Sequence, residues 1–190
     1  QGLTGSVNLD FVAAGVLSAE KVELLGNISV ANLKYHGLTI KEASLDFTKN
    51  NDELKLYNAH ASVDETGEIT LQGGIKQQQL DLDLTAQGIP AQVLTSYGGV
   101  EARGKLNATA KIQGTLDKPA VWANINSGKI VLAGQNIDAV VAEGRYQGSR
   151  LEIANLEITT SKIMNLPQGK HRVQGVLDFT TTVPEVQVEV

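Results

Sequence analysis

The sequence predicts an all-β fold: a long antiparallel sheet made of two tandem repeats, with one short helix between them. Apolar and polar residues alternate strictly in LDLDLT, from Leu80 to Thr85, and similar short runs recur along the chain. Such alternation is typical of a strand with one apolar and one polar face. Turn-forming Gly, Asn and Asp separate the runs at hairpin spacing, as in TKNNDE and DETGE. Strands joined by short turns form an antiparallel meander.

The apolar members of these runs are the candidates for one shared apolar face. We expect them to share one face of the sheet, and their assignment is least certain where a bulge interrupts the alternation, notably from Ala139 to Ala142. The candidates are Val7, Leu9, Phe11, Ile28, Val30, Leu45, Phe47, Leu54, Leu56, Ile69, Leu71, Leu80, Leu82, Leu84, Leu106, Ala108, Ala110, Ile112, Ile130, Leu132, Leu151, Ile153, Val173, Leu177 and Phe179.

The segment IPAQVLTSYGG departs from the alternation and predicts the short helix. Pro90 suits a helix start, and Val93, Leu94 and Tyr97 fall along one helical face together with Ile89. One of the glycines that follow Tyr97 supplies the left-handed stop.

This helix separates two copies of one sequence pattern. The copies predict a β repeat over residues 1–88, a helical connector over 89–100 and a second β repeat over 101–190. Four pairs of segments align: LTGSVNLDFVAAGVL with ARGKLNATAKIQGTL, NLKYHGLTIKEA with KIVLAGQNIDAV, NDELKLYN with GSRLEIAN, and GEITLQGGI with GKHRVQGVL.

Composition fits a folded domain and excludes several classes of function. Hydrophobic residues make up 42% of the 190, which argues against disorder. The absence of cysteine excludes a disulfide framework and a thiolate zinc site. A net charge of −5 without a basic run argues against a nucleic-acid partner. No apolar run approaches the roughly 20 residues of a membrane-spanning helix.

The order of motifs in the second copy resembles the TamB family, within the AsmA-like group of bridge-type envelope proteins. The motifs are GKLNATAKIQGTLDKP, GKIVL, YQGSRLEIANL and VQGVL, and LDLDLTAQGIPAQVL is similar to connectors of that family. The resemblance covers essentially the whole chain. The first copy departs from it by having Glu20 where the second has Pro119.

The resemblance implies a curved, taco-like sheet lined by aliphatic side chains, in a protein that spans the periplasm of a diderm bacterium. It implies transport of phospholipid between inner and outer membranes, without a cofactor. The candidate residues of the apolar face would then line the groove and contact the lipid. An inner-membrane anchor would belong to other parts of the parent chain, and those parts would also contact a BamA-like or TamA-type outer-membrane protein. Since the sequence starts at Gln1, we expect it to be a piece of that longer chain.

The periodicity alone is compatible with three ways of covering the apolar face. A large bare apolar face is unfavourable, and acyl chains would stabilise it by about 0.8 kcal/mol per buried methylene. The alternatives are an assembly or chaperone module of the translocation and assembly machinery, which holds outer-membrane protein clients by groove or edge-strand contacts, and a sandwich with a dry core.

The polar residues do not form a pattern typical of an enzyme. His36, His60 and His171 lack partners at metal-ligand spacing, so we predict no metal site. Asp81 and Asp83 share a face, opposite the leucines, and a solvated surface explains them better than acid–base catalysis.

Two further features have more than one interpretation. The acidic DETGE segment (64–68) is better explained as a hairpin turn than as a weak calcium site. Trp122 has the parity of Asn124 and Asn126, so we expect it to point away from the groove. It either packs against the loop of Pro119 or contacts a partner.

Overall fold

The computed structural model describes residues 4–15, 22–35, 38–161, 169–179 and 185–189. This part of the chain forms fifteen strands and one short helix, which confirms the all-β prediction. The strands are β1 Thr4–Gly15, β2 Val22–Tyr35, β3 Leu38–Asn50, β4 Glu53–Val63, β5 Gly67–Lys76, β6 Gln79–Pro90, β7 Ala102–Arg103, β8 Lys105–Thr115, β9 Lys118–Ser127, β10 Ile130–Leu132, β11 Gln135–Ile137, β12 Ala139–Gln147, β13 Arg150–Thr160, β14 Gly169–Asp178 and β15 Glu185–Glu189.

Twelve of these strands form a single antiparallel sheet. Its order is β1-β2-β3-β4-β5-β6-β8-β9-β12-β13-β14-β15, so each strand pairs with the one before it apart from short excursions. The sheet is not closed, and β1 and β15 are its two edges. A separate three-stranded sheet has the order β11-β10-β7. The predicted meander is therefore a single continuous open sheet.

The helix α1 spans Gln92–Gly98 and begins later than the sequence predicts. Pro90 ends β6 instead and lies opposite Lys105 in the register of β6 with β8. The stop is as expected, because Gly99 has the left-handed φ of 66° and its N–H donates to the carbonyl of Thr95 at 3.1 Å. Since β6 pairs directly with β8, the large sheet continues past the helix.

The small sheet and α1 lie at one end of the large sheet and form its most buried region. Ala91 and Ala102 are almost fully buried there with Leu106, and Val93 and Leu132 pack against them. The opposite end consists of hairpin turns, among them those at residues 51–52 and 77–78. We call these the helix end and the turn end of the sheet. No helix in the described residues is long and apolar enough to cross a membrane.

The irregularity expected from Ala139 to Ala142 lies elsewhere. Pairing of β12 with β9 runs without a shift from Val140 onwards. The shift occurs against β13, where Glu143 faces Asn155 and the next residue, Gly144, faces Ile153. The alternation of Val140 and Ala142 is therefore sound, and the bulge belongs to β13.

Candidate functional site: the apolar face of the large sheet

The register of the large sheet brings its apolar residues into rows that cross many strands. Residues paired between neighbouring strands point to the same face. Leu84 lies between Leu71 and Ala110 in one such row, and Ala110 continues it to Ala123. We call the side that carries Leu84 the apolar face and the opposite side the polar face. The rows arise because alternation within each strand is matched by alternation in its neighbours.

Nearly all of the sequence-predicted candidates lie in strands that contribute to this face. By register, those placed on the apolar face are Val7, Leu9, Ile28, Val30, Leu45, Phe47, Leu54, Leu56, Ile69, Leu71, Leu80, Leu82, Leu84, Leu106, Ala108, Ala110, Ile112, Leu151, Ile153, Val173 and Leu177. Phe179 follows Leu177 with the same parity just beyond β14. The side chain of Phe11 lies outside the described part, although its backbone pairs with Gly26.

Two candidates belong to a different sheet. Ile130 and Leu132 lie in β10 of the small sheet, where Ile130 is buried and Leu132 packs against Ala102 and Leu106. The alternation of GKIVL is that of any half-buried strand, so it did not distinguish this hairpin from the main sheet. These two residues belong to the packing at the helix end.

Several residues of the apolar face were not among the candidates. Val121 pairs with Ile112, and Ile125 pairs with Ala108, so β9 contributes to the same rows. Tyr146 and Leu156 extend the face across β12 and β13. The signal was present in VWANINS, whose apolar residues alternate with Trp and Asn, but the intervening alanine weakens the pattern.

The apolar face is half-buried rather than buried. Leu80, Leu82 and Leu84 are intermediate between buried and exposed, while Leu9 keeps 57% of its surface exposed. A second layer packed against the face would bury such residues almost completely. Within the described residues, the few buried apolar side chains lie mostly towards the helix end, among them Val63, Ala86 and Leu106. Most of the face therefore lacks a layer that buries it.

The polar face is solvent-exposed and carries networks of charged side chains. Lys111 lies between Asp81 and Asp83, with its Nζ 3.0 and 3.1 Å from their carboxylates. Hydrogen bonds from Gln113 and Lys111 lower the pKa of Asp81, and the two carboxylates raise the pKa of Lys111. All of these groups are solvent-exposed, so the pairs contribute little to stability. This arrangement matches the solvated surface predicted for the two aspartates.

A second network on this face joins β13 to β14. Glu157 accepts from Lys170 at 2.8 Å and from Arg172 at 3.0 Å. Hydrogen bonds from Lys170 and Arg172 lower the pKa of Glu157. Uncharged donors lower a pKa at another place on the polar face. There, side-chain hydrogen bonds from Asn58 and Asn27 lower the pKa of Asp46.

Trp122 lies on the polar face, which agrees with its parity in the sequence. It pairs with Lys111 and Arg145 in the register, and the guanidinium of Arg145 stacks 4.8 Å from the ring centroid. The ring remains 37% exposed. Trp122 thus packs against the guanidinium of Arg145 in a cation–π contact.

The remaining titratable candidates do not converge. His60 pairs with Ser44 and Thr70 and lies on the polar face. His171 lies on the apolar face at the helix end, with Nε2 3.4 Å from Oγ1 of the buried Thr160. His36 lies outside the described residues. The described residues contain no group of three His, Cys, Asp or Glu side chains that could hold a metal ion.

The DETGE segment forms the turn between β4 and β5, as expected. The carboxylate of Asp64 accepts from the backbone N–H of Thr39 at 2.9 Å, and Glu65 pairs with Lys41 at 3.1 Å. Both carboxylates therefore tie the turn to β3, the neighbouring strand.

No protein-family model, curated protein or solved structure matches this chain. Its function is therefore inferred from the sheet itself and from the resemblance of its motifs.

Proposed function

We propose that this chain is a segment of a TamB-like bridge whose apolar face holds phospholipid acyl chains during transport between the inner and outer membranes. The single observation that carries the proposal is the set of apolar rows that cross the open sheet without a covering layer. A soluble monomer normally exposes apolar patches of at most a few hundred Å². Such a long apolar face calls for a ligand.

The dimensions of the sheet suit an acyl chain. Neighbouring strands are spaced about 4.8 Å apart, so one acyl chain of about 15 Å, half the hydrocarbon core of a bilayer, spans about three strands. Each methylene that it buries contributes about 0.8 kcal/mol. Aliphatic side chains offer dispersion contacts without fixed polar anchors, so the chain is free to slide along the rows. Transport requires that freedom.

We further propose that the sheet curls around the apolar face as a taco-like groove. Half-burial of Leu82 and Leu84 without a covering layer supports this shape, because a curl brings the side chains of neighbouring strands together. Strand twist accumulates over a twelve-stranded sheet. β-Bulges increase it further, and the sheet has several.

The two predicted repeats, 1–88 and 101–190, are part of the same proposal. Aligning NDELKLYN with GSRLEIAN puts Asn58 on Asn155. Register shifts occur at both places, between Leu56 and Ala59 against β5 and between Ile153 and Leu156 against β14. Matching bulges in aligned strands support two copies of one unit, each with six strands of the large sheet, joined by residues 89–100.

The cellular setting rests on the resemblance alone. It places the parent protein in the periplasm of a diderm bacterium, anchored in the inner membrane and working with a TamA-type outer-membrane partner. In this setting the chain is a conduit and not an enzyme.

Native mass spectrometry of the detergent-free protein, with lipid analysis of the same sample, tests the proposal. We expect stoichiometric phospholipid on the wild-type protein. Leu82→Asp on the apolar face should remove most of it, whereas Gln72→Asp on the polar face should not. A lipid-free, stable and monodisperse wild-type protein would refute a lipid conduit.

A further inference from the structure

Lys49 is a charged residue on the apolar face. It lies between Leu24 and Leu54 in the register, in line with Phe47 and Leu45 of the same strand. Outside the β-bulges, it is the one charged side chain that the described strands place on this face. A lysine among aliphatic neighbours is unfavourable unless its ammonium reaches water or a partner.

The ammonium of Lys49 is held by the turn that follows β3. It donates to the carbonyl of Asn50 at 3.2 Å and to the carbonyl of Asn51. An ammonium has three donors, so one remains for a ligand. In the described part of the chain, Lys49 makes no ion pair with a carboxylate.

A shallow cavity of about 460 Å³, largely open to solvent, lies beside this lysine. Leu54 and Ile75 form its apolar floor, since they pair with each other on the apolar face. Asp52 and the amide side chains of two adjoining turns form its rim. The N–H of Gln77 donates to the carbonyl of Asp52 at 2.9 Å, which fastens the two turns side by side.

We propose that this cavity, at the turn end of the apolar face, binds the zwitterionic headgroup of a phospholipid. Lys49 would contact the phosphate and Asp52 the ammonium, while Leu54 and Ile75 contact the first methylenes of the acyl chains. The inference rests on the proposed acyl-chain function and adds a headgroup class to it. One cation and one carboxylate at the rim of one cavity complement a phosphate joined to an amine better than a purely anionic headgroup.

The test uses vesicles of equal parts phosphatidylethanolamine and phosphatidylglycerol, followed by quantification of both lipids on the re-isolated protein. Lys49→Gln should lower the uptake of both lipids about threefold to tenfold, as expected for an exposed, charge-assisted hydrogen bond. Asp52→Asn should keep total uptake near wild type and shift the ratio of the two lipids towards phosphatidylglycerol by a similar factor.

Two matched controls lie on the polar face nearby. Lys55 pairs with Thr48, and Glu53 with Asn50, so both side chains point away from the cavity. Lys55→Gln and Glu53→Gln should leave uptake and ratio unchanged. These variants remove the same charges from adjacent positions, and they separate a headgroup contact from a change in overall charge.

The outcomes distinguish the two levels of the proposal. The headgroup site would be refuted if Asp52→Asn kept normal total uptake and an unchanged lipid ratio, and if Lys49→Gln lost no uptake. These results would not contradict the proposed acyl-chain groove. A wild-type protein that takes up no lipid would overturn both.

Glycerophosphoethanolamine, the headgroup without acyl chains, should bind far more weakly than the lipid. Equal affinity would instead identify a soluble phosphate compound as the ligand.

Discussion

Placing a charge on the apolar face separates an open groove from a dry core. Ala108 lies on that face between Ala86, which is 7% exposed, and Ile125, which is 38% exposed. Ala108→Asp puts a carboxylate beside one buried and one accessible neighbour, so on an open face the charge can reach water. We therefore expect a loss of about 1 kcal/mol or less in the free energy of unfolding. In a dry core, an unpaired charge would cost about 3–5 kcal/mol.

The same carboxylate would strongly oppose an acyl chain. Burying it against hydrocarbon costs several kcal/mol, and about 1.4 kcal/mol corresponds to a factor of ten. Bound phospholipid should thus fall about a hundredfold or more while the protein stays folded. Urea denaturation measures the first quantity, and mass spectrometry of extracted lipid measures the second.

The neighbouring residue provides the control for this substitution. Thr109 lies on the polar face between Thr85 and Asn124 and is exposed. Thr109→Asp should change neither stability nor lipid content appreciably. The reasoning would be refuted if Ala108→Asp unfolded the protein, or if it retained wild-type amounts of lipid.

The remaining predictions concern the scaffold. A Cβ at Gly73, whose φ is 122°, would overlap the carbonyl oxygen of Asp81, so Gly73→Ala should lower the free energy of unfolding by about 2 kcal/mol or more, measured by urea denaturation. Gly134→Ala, at φ 76° with open space, should cost only about 1 kcal/mol. Because its two basic neighbours lower the pKa of Glu157, the stabilisation that they provide is present at neutral pH and is lost as the pH falls through that lowered value. The difference in urea midpoint between wild type and Glu157→Gln should accordingly be largest near neutrality and shrink as the pH falls through the lowered pKa of Glu157. Trp122→Ala should lower stability by about 1 kcal/mol through loss of the stacked arginine, measured by thermal unfolding, with bound lipid unchanged.

Strand alternation predicted most of the large sheet because a period of two fixes which face each side chain occupies. The alternation within β6 alone assigns Leu80, Leu82 and Leu84 to one face, whichever strands lie beside it. The glycine stop of α1 was equally local. The start of α1 was not, because Pro90 suits both a helix start and the end of a strand, and pairing with Lys105 decided between them.

Features that depend on contacts distant in sequence could not be predicted. In the sequence, the residues of the β10–β11 hairpin alternate like those of any other strand. Only the pairing of β10 with β7 shows that the hairpin belongs to the small sheet. Lys49 follows Phe47 with the parity of the apolar face, but a lone lysine near a turn is usually solvated. The cavity beside it appears only when the turns of two hairpins are brought together. The stacking of Arg145 on Trp122 likewise requires β9 and β12 to be neighbours.

Site-specific photo-crosslinking tests most directly whether the apolar face holds acyl chains. A photoreactive phenylalanine analogue would replace Leu84 in one variant and Asp83, the adjacent residue on the polar face, in another. After incubation with phospholipid vesicles and illumination, our account predicts lipid adducts from position 84 and few or none from position 83. Equal adducts from both positions, or none from position 84, would contradict it.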